Sequence, residues 1–143
     1  MEAAVSDEAV RVGLRYLSLA HRVRRLVDDK MVAGGLSLAR VKILRILDET
    51  GPQRQVSLAE SLGQAPRSVT QAVEALERDG LVVRTADPED QRAKLVALTP
   101  AGVDSLAAGV VAGDEALMEI FGALGPTRLA RLGKLVDALE EEL

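Results

Sequence analysis

Residues 55–99 read QVSLAESLGQAPRSVTQAVEALERDGLVVRTADPEDQRAKLVALT. Ser57-Leu58-Ala59-Glu60 has the spacing of a capping box, in which Ser57 would cap the N3 amide while Glu60 reaches back. It predicts a short helix over 58–62 that stops at Gly63. Pro66 then stands at a first helical position, and the helix behind it closes at Asp79-Gly80. Residues 81–85 read as a strand, 87–90 as a turn and 94–98 as a second strand, so a hairpin follows the second helix directly.

Ala59, Gly63 and Val69 stand at i, i+4 and i+10. Two helices that cross closely need a small residue at the crossing. They also need a glycine where the chain turns with positive φ, and a branched residue that anchors the second helix to the first. That is the spacing of a helix-turn-helix. Val69, Ala72, Val73 and Leu76 form the buried stripe of the second helix, which leaves Arg67, Ser68, Thr70, Gln71 and Glu74 on the outer side of its first two turns. Those turns reach base edges when such a helix enters the major groove, where Arg pairs with guanine and Gln with adenine. The plainer reading of any one of them is a solvated polar residue. A hairpin placed after the helix can lay its tip along the minor groove, with Arg92 and Lys94 near that tip and Arg84 on the other strand.

Outward from this module the chain reads as helices. One is predicted from Asp7 to about Met31, ended by Gly34-Gly35. Its apolar residues cover so wide an arc that it must pack on two sides. Another starts with Ser37 as N-cap, runs to Asp48 and buries Val41, Leu44 and Leu47. Thr99-Pro100 starts a helix reaching about Leu124, where Val103, Leu106, Val110, Leu117, Ile120 and Leu124 keep a heptad rhythm. Gly125-Pro126 separates it from a last helix that repeats the 3-4 spacing at Leu129, Leu132, Val136, Leu139 and Leu143. The expected fold is mainly α with a small β wing, in a single domain over 1–143.

Composition bounds the chemistry. The 143 residues are 48% hydrophobic, yet Tyr16 and Phe121 are the only aromatics, so the core must be aliphatic. Without cysteine there is no disulfide and no thiol redox sensing, and the single histidine, His21, makes a histidine metal site an unlikely design. No cofactor is expected. No apolar run approaches the ~20 residues that span a bilayer, and the first residues lack the pattern of a signal peptide, so no membrane role and a cytoplasmic location are expected. Net charge is −4, but residues 95–143 hold 8 acidic and 3 basic groups, so the acid is concentrated away from the helix-turn-helix. Local placement of Lys and Arg, not the whole-chain sum, decides phosphate contact.

The run from Leu81 through Asp87-Pro88-Glu89-Asp90-Gln91-Arg92 to Leu98-Thr99-Pro100-Ala101-Gly102 resembles the wing signature of the multiple-antibiotic-resistance regulator (MarR) family. Asp90, Arg92, Leu98, Thr99 and Gly102 match it residue by residue, and the helices on either side match in order and length. Two positions depart from the pattern. Gln91 stands where a basic residue is usual, and Ala65 stands where a capping Ser or Asp usually precedes the proline of the second helix.

The resemblance implies a homodimeric transcriptional regulator, usually a repressor, that binds pseudo-palindromic double-stranded DNA. It implies a winged helix-turn-helix lobe over 37–99, with dimerisation helices at 7–34 and 100–143. Ser57, Arg67, Ser68, Thr70, Gln71, Arg84, Asp90, Arg92 and Lys94 become the candidate DNA contacts. A small-molecule effector is a further implied partner, for which Tyr16 and His21 are the candidate residues; a lone histidine on a helical stripe is more often packed or interfacial. Arg11, Arg15, Arg22 and Arg25 form a basic band that either meets Glu140, Glu141 and Glu142 across a dimer or is simply solvated. A winged-helix module for protein–protein contact, without DNA binding, is the alternative. No nucleophile–histidine pair, phosphate loop or metal cluster points to an enzyme.

Overall fold

The computed structural model describes all 143 residues. Six helices and a small sheet follow in the order α1 (Glu2–Ala33), α2 (Leu38–Thr50), β1 (Gln53–Arg54), α3 (Gln55–Leu62), α4 (Pro66–Arg78), β2 (Val82–Ala86), β3 (Lys94–Leu98), α5 (Pro100–Gly122) and α6 (Pro126–Glu141). The mainly α winged helix-turn-helix architecture is thus as the periodicities predict. No helix is long and apolar enough to cross a membrane. Two compact units emerge, residues 31–112 and residues 1–30 with 113–143.

Residues 31–112 hold nearly all of the core. Val41, Ile43, Leu44 and Leu47 of α2, Leu58 and Ala59 of α3, Val69, Val73 and Leu76 of α4, and Val82 and Val96 of the sheet are each at most 3% exposed. Fully burying one such side chain contributes about 1.5–3 kcal/mol. Ala59, the small residue expected at the crossing of α3 and α4, is buried. Gly63 ends α3 in the left-handed region, at φ 61° and ψ 33°, which only glycine adopts without cost.

The sheet is antiparallel with strand order β1-β3-β2. Val82 faces Leu98 and Ala86 faces Lys94 across the hairpin, while Gln53 and Arg54 pair with Val96 and Leu95. The third strand, β1, is a correction to the two-stranded reading. Two residues are too few to show an alternation. It also overturns the capping box at Ser57. Pairing with β3 holds the chain extended only through Arg54, so the helix begins at Gln55, its N-cap is Arg54 with no side-chain cap bond, and Ser57 lies inside the first turn. The first helix likewise starts earlier than Asp7, at Glu2.

Three turns are fixed as the residues predict. Ser37 caps α2, its hydroxyl accepting from the Arg40 amide at 3.3 Å. Pro66 begins α4. Thr99 ties the start of α5 to the link between α4 and β2: its Oγ1 donates to the Gly80 carbonyl at 2.6 Å and accepts from the Gly102 amide at 3.0 Å, while its own amide donates to the Leu81 carbonyl at 3.1 Å.

The second unit is built differently. Among its residues only Val27 and Ala116 are apolar and buried, and α6 buries nothing. Val10, Val12, Leu14, Leu17 and Leu19 of α1 are each more than half exposed, as is Leu135 of α6. Lys30 and Glu119 form an ion pair within it.

Two stability predictions follow from these local geometries. Ala65, the N-cap of α4, has the extended backbone of a cap (φ −62°, ψ 138°) and no side-chain bond to offer. Ala65→Ser is expected to gain about 1 kcal/mol, read as a raised melting temperature. Gly102 carries the opposite expectation. An alanine inside a helix normally gains up to about 1 kcal/mol over glycine. A Cβ here would stand 2.0 Å from the Leu81 carbonyl oxygen, which is backbone and cannot turn aside. Gly102→Ala is expected to lose about 2 kcal/mol or more in urea unfolding.

Candidate nucleic-acid interface

With Val69, Val73 and Leu76 fully buried, the opposite side of α4 is settled by helical geometry. Arg67, Gln71, Glu74 and Arg78, at i, i+4, i+7 and i+11, form one exposed stripe, with Ser68 exposed beside it. Arg67 and Gln71 occupy its first half. Arg can pair bidentately with guanine and Gln with adenine, and the Glu74 carboxylate can accept from the amino group of cytosine. Arg78 extends the stripe beyond the two turns that the amino-acid pattern singles out.

Thr70 is placed differently. It is half-buried, and its hydroxyl donates to the Pro66 carbonyl at 2.9 Å while accepting from Gln55 Nε2 at 3.1 Å. Arg84 is also engaged. Its Nε and Nη2 donate to the two carboxylate oxygens of Glu77 at 3.2 and 3.0 Å, and its Nη1 to Gln55 Oε1 at 3.4 Å. These hydrogen bonds hold the Glu77 carboxyl below its ordinary range. Neither side chain stands on the exposed stripe.

The wing tip is built by carboxylates acting on backbone. Asp90 Oδ1 accepts from the Arg92 amide at 3.0 Å, and its carbonyl accepts from the Ala93 amide at 3.0 Å. Asp90 therefore shapes the turn, and the turn presents Gln91 and Arg92 to solvent. Lys94 is exposed at the start of β3. Ser57 lines a groove of about 510 Å³ together with Arg54, Val56, Glu60, Arg92 and Lys94. The side chains of Arg67, Arg78, Arg92 and Lys94 enter no ion pair within the chain.

Beneath the tip sits a pair that the sequence reading did not single out. Asp87, at 5% exposure, is the one buried charged residue. It accepts from Arg54 Nε at 2.7 Å and lies 2.6 Å from Arg54 Nη2, and it also accepts the Glu89 amide at 2.9 Å. The Glu89 amide first, and then the Arg54 guanidinium, hold its carboxyl below the usual range against the opposing effect of burial. Arg54 is the last residue of β1, so this pair ties the wing turn to the start of α3.

Tyr16 and His21 lie on α1. Tyr16 lines a shallow concavity of about 440 Å³ with Val12, Arg15, Ser18, Leu19 and Arg22. His21 is exposed and is not part of that lining, standing about 140° further round the helix. The structure does not bring the two together. Arg11 pairs with its neighbour Glu8 at 3.8 Å, an exposed contact of little energetic weight.

Residues 36–94 match the family model described as the MarR family. The chain is 32% identical over 110 residues to the HTH-type transcriptional regulator YkoM of Bacillus subtilis, a match covering 74% of this chain and 71% of YkoM. In structure it is similar to a probable transcriptional regulator from Pseudomonas aeruginosa, with a TM-score of 0.74 and 30% identity over 90% of this chain and 96% of that one. It is also similar to CouR from Rhodococcus jostii RHA1, solved with p-coumaroyl-CoA bound, with a TM-score of 0.70 and 28% identity over 90% and 89% of the two chains.

The Asp87–Arg54 pair has a pH signature. A carboxyl whose folded pKa is lowered contributes stability that is present above its unfolded pKa and lost as pH falls through the folded one. Asp87→Asn is therefore expected to be less stable than the wild type at neutral pH. The gap should close as pH drops below about 3.9, the ordinary Asp value. Urea unfolding at a series of pH values measures it; a gap of constant size down to pH about 2 would assign the effect to lost packing instead.

Proposed function

The chain belongs to the MarR family of transcriptional regulators, and from that premise we propose that it is a cytoplasmic repressor that binds pseudo-palindromic duplex DNA as a homodimer and is released by a small-molecule effector. The observation that carries the DNA reading is the exposed stripe Arg67–Gln71–Glu74–Arg78 on α4, next in sequence to a wing whose tip presents Arg92. In this reading α4 enters the major groove, where Arg67 and Gln71 read base edges. Arg92 and Lys94 meet the minor groove or the phosphates, with Ser57 and Ser68 available as neutral donors. Gln91 in place of a basic residue leaves the wing with one positive charge fewer, so more of the affinity rests on α4.

Support for the homodimer comes from the unit formed by residues 1–30 and 113–143. Three helical segments that bury only Val27 and Ala116 cannot offset their own ordering entropy. A second copy covering the exposed faces of α1 and α6 removes that apolar surface from water. Such a dimer offers two recognition helices to half-sites about 34 Å apart. Support for an effector is the Tyr16-lined concavity, together with the acyl-CoA held by CouR. Release by such a ligand requires that it bind the DNA-free arrangement more tightly than the DNA-bound one.

Gel-shift titration of the full chain against its own upstream region, across a salt series, tests the proposal. Binding should be specific and should weaken steeply with salt. Arg92→Ala is expected to weaken binding to many sequences alike and to lower the salt slope by about 1, whereas Gln71→Ala should alter base preference and leave the slope unchanged. Wild-type behaviour in both variants would refute the groove assignment. Absence of binding to any genomic fragment at low salt would favour a protein–protein module.

A further inference from the structure

The buried seam of α4 fixes which side of the helix faces inward, but apolar contact is non-directional and does not by itself set the helix's tilt. Two polar residues supply direction. Thr70 and Glu77 lie seven positions apart, two turns along one side of α4. Each is held from outside the helix. Gln55, the first residue of α3, donates Nε2 to Thr70 Oγ1 at 3.1 Å. Arg84, on β2, grips Glu77 with its guanidinium at 3.0 and 3.2 Å and with its backbone amide at 3.1 Å. Arg84 Nη1 and Gln55 Oε1, 3.4 Å apart, join the two grips into one chain.

The direction of every bond in that chain is forced. A guanidinium only donates, so Gln55 must turn its carbonyl oxygen to Arg84 and its NH2 to Thr70. The Thr70 proton goes to the Pro66 carbonyl at 2.9 Å, leaving a lone pair for the Gln55 NH2. Reversing the amide would set NH2 against guanidinium and oxygen against a hydroxyl whose proton is already used. The chain thus runs from Glu77 in the last turn of α4, out through Arg84 and Gln55, and back to Thr70, one turn in from the start of the helix, and to Pro66, its first residue.

We infer that Gln55 is a positioning residue for DNA recognition: through Thr70 and the Arg84–Glu77 pair it braces both ends of α4 and sets the angle at which Arg67 and Gln71 are presented beside the wing. This rests on the DNA-binding reading above. It reassigns Thr70 and Arg84 from contacts with DNA to parts of the brace. Angle matters because α4 is 13 residues, about 20 Å, long. A tilt of about 10° at one end displaces the other by about 3 Å, far outside the range of a hydrogen bond to a base edge.

The test uses the full chain, a duplex recovered by selection with the wild type, and random duplex, each titrated across a salt series. Gln55→Leu and Thr70→Val each break the Gln55–Thr70 bond they share, and each is expected to weaken binding to the selected duplex by about 3- to 10-fold. Binding to random duplex should stay at the wild-type level. The double variant should lose no more than the larger single loss, because both changes cut the same chain. Arg84→Gln should lose sequence preference while keeping the wild-type salt slope. Losses that multiply in the double variant, or an Arg84→Gln slope shallower by about 1, would overturn the brace and return both residues to direct contact. If circular dichroism shows Gln55→Leu unfolded, Gln55→Ala takes its place. Gln55→Ala, which removes both the acceptor for Arg84 and the NH2 without adding a charge, should lose preference for the selected over the random duplex as Thr70→Val does, and unchanged preference in it overturns the inference. A wild type that prefers no duplex at all refutes the DNA reading itself, before any variant is made.

Discussion

Val69, Val73 and Leu76 have no exposed surface, and the arrangement of residues 31–112 is the set of elements needed to bring that about. A helix whose apolar residues recur at i, i+4 and i+7 presents one narrow seam, and burying the seam dictates the rest. The α3 helix must cross close, hence Ala59 and the left-handed turn at Gly63. The sheet must supply Val82 and Val96, and α2 must supply Leu44 and Leu47. The same geometry leaves Arg67, Gln71, Glu74 and Arg78 nowhere to go but outward. What looks like a binding surface is the complement of a packing solution.

Polar contacts then do what apolar ones cannot. The Asp87–Arg54 pair and the Glu77–Arg84–Gln55–Thr70 chain each link elements that the core leaves free to slide: wing turn to α3 in the first case, α4 to α3 and β2 in the second. In both, an acid near the proposed DNA surface is occupied by a base from within the chain. The Asp90 carboxylate accepts one backbone amide, that of Arg92. Glu77 and Asp87 are thereby turned to structural use, while Arg67, Arg92 and Lys94 enter no ion pair. This is why the net charge of −4 says little about what the chain binds.

Most of the fold was legible in the chain because its signals are local. The Ala59–Gly63–Val69 spacing, Pro66, the apolar run over 95–98 and the Thr99-Pro100 start each depend on residues a few positions apart. What escaped is what depends on distance. Strand β1 is two residues long and exists only because β3 lies beside it. Its pairing moved the N-cap of α3 from Ser57 to Arg54, which a matching capping box could not reveal. Arg54 and Asp87 are 33 positions apart, and Gln55 and Thr70 are 15 apart, with nothing in either neighbourhood to announce the pairing. Arg84 was legible as a base on the wing, but its partner decides its use. Tyr16 and His21 share a helix without sharing a face, which counting along the chain could have shown.

The approach of Gly102 to the Leu81 carbonyl has a consequence for how such a chain can drift. Every replacement of glycine adds at least a Cβ, and here that atom meets backbone at 2.0 Å. Position 102 therefore has no conservative neighbour: alanine, the gentlest substitution at most helical sites, is excluded along with the rest. The two residues between Thr99 and Gly102 carry no such constraint, since Pro100 and Ala101 are exposed. A lineage can rewrite the outward face of α4 residue by residue, yet the glycine at 102 stays readable, because geometry has removed the intermediate steps by which it could be lost.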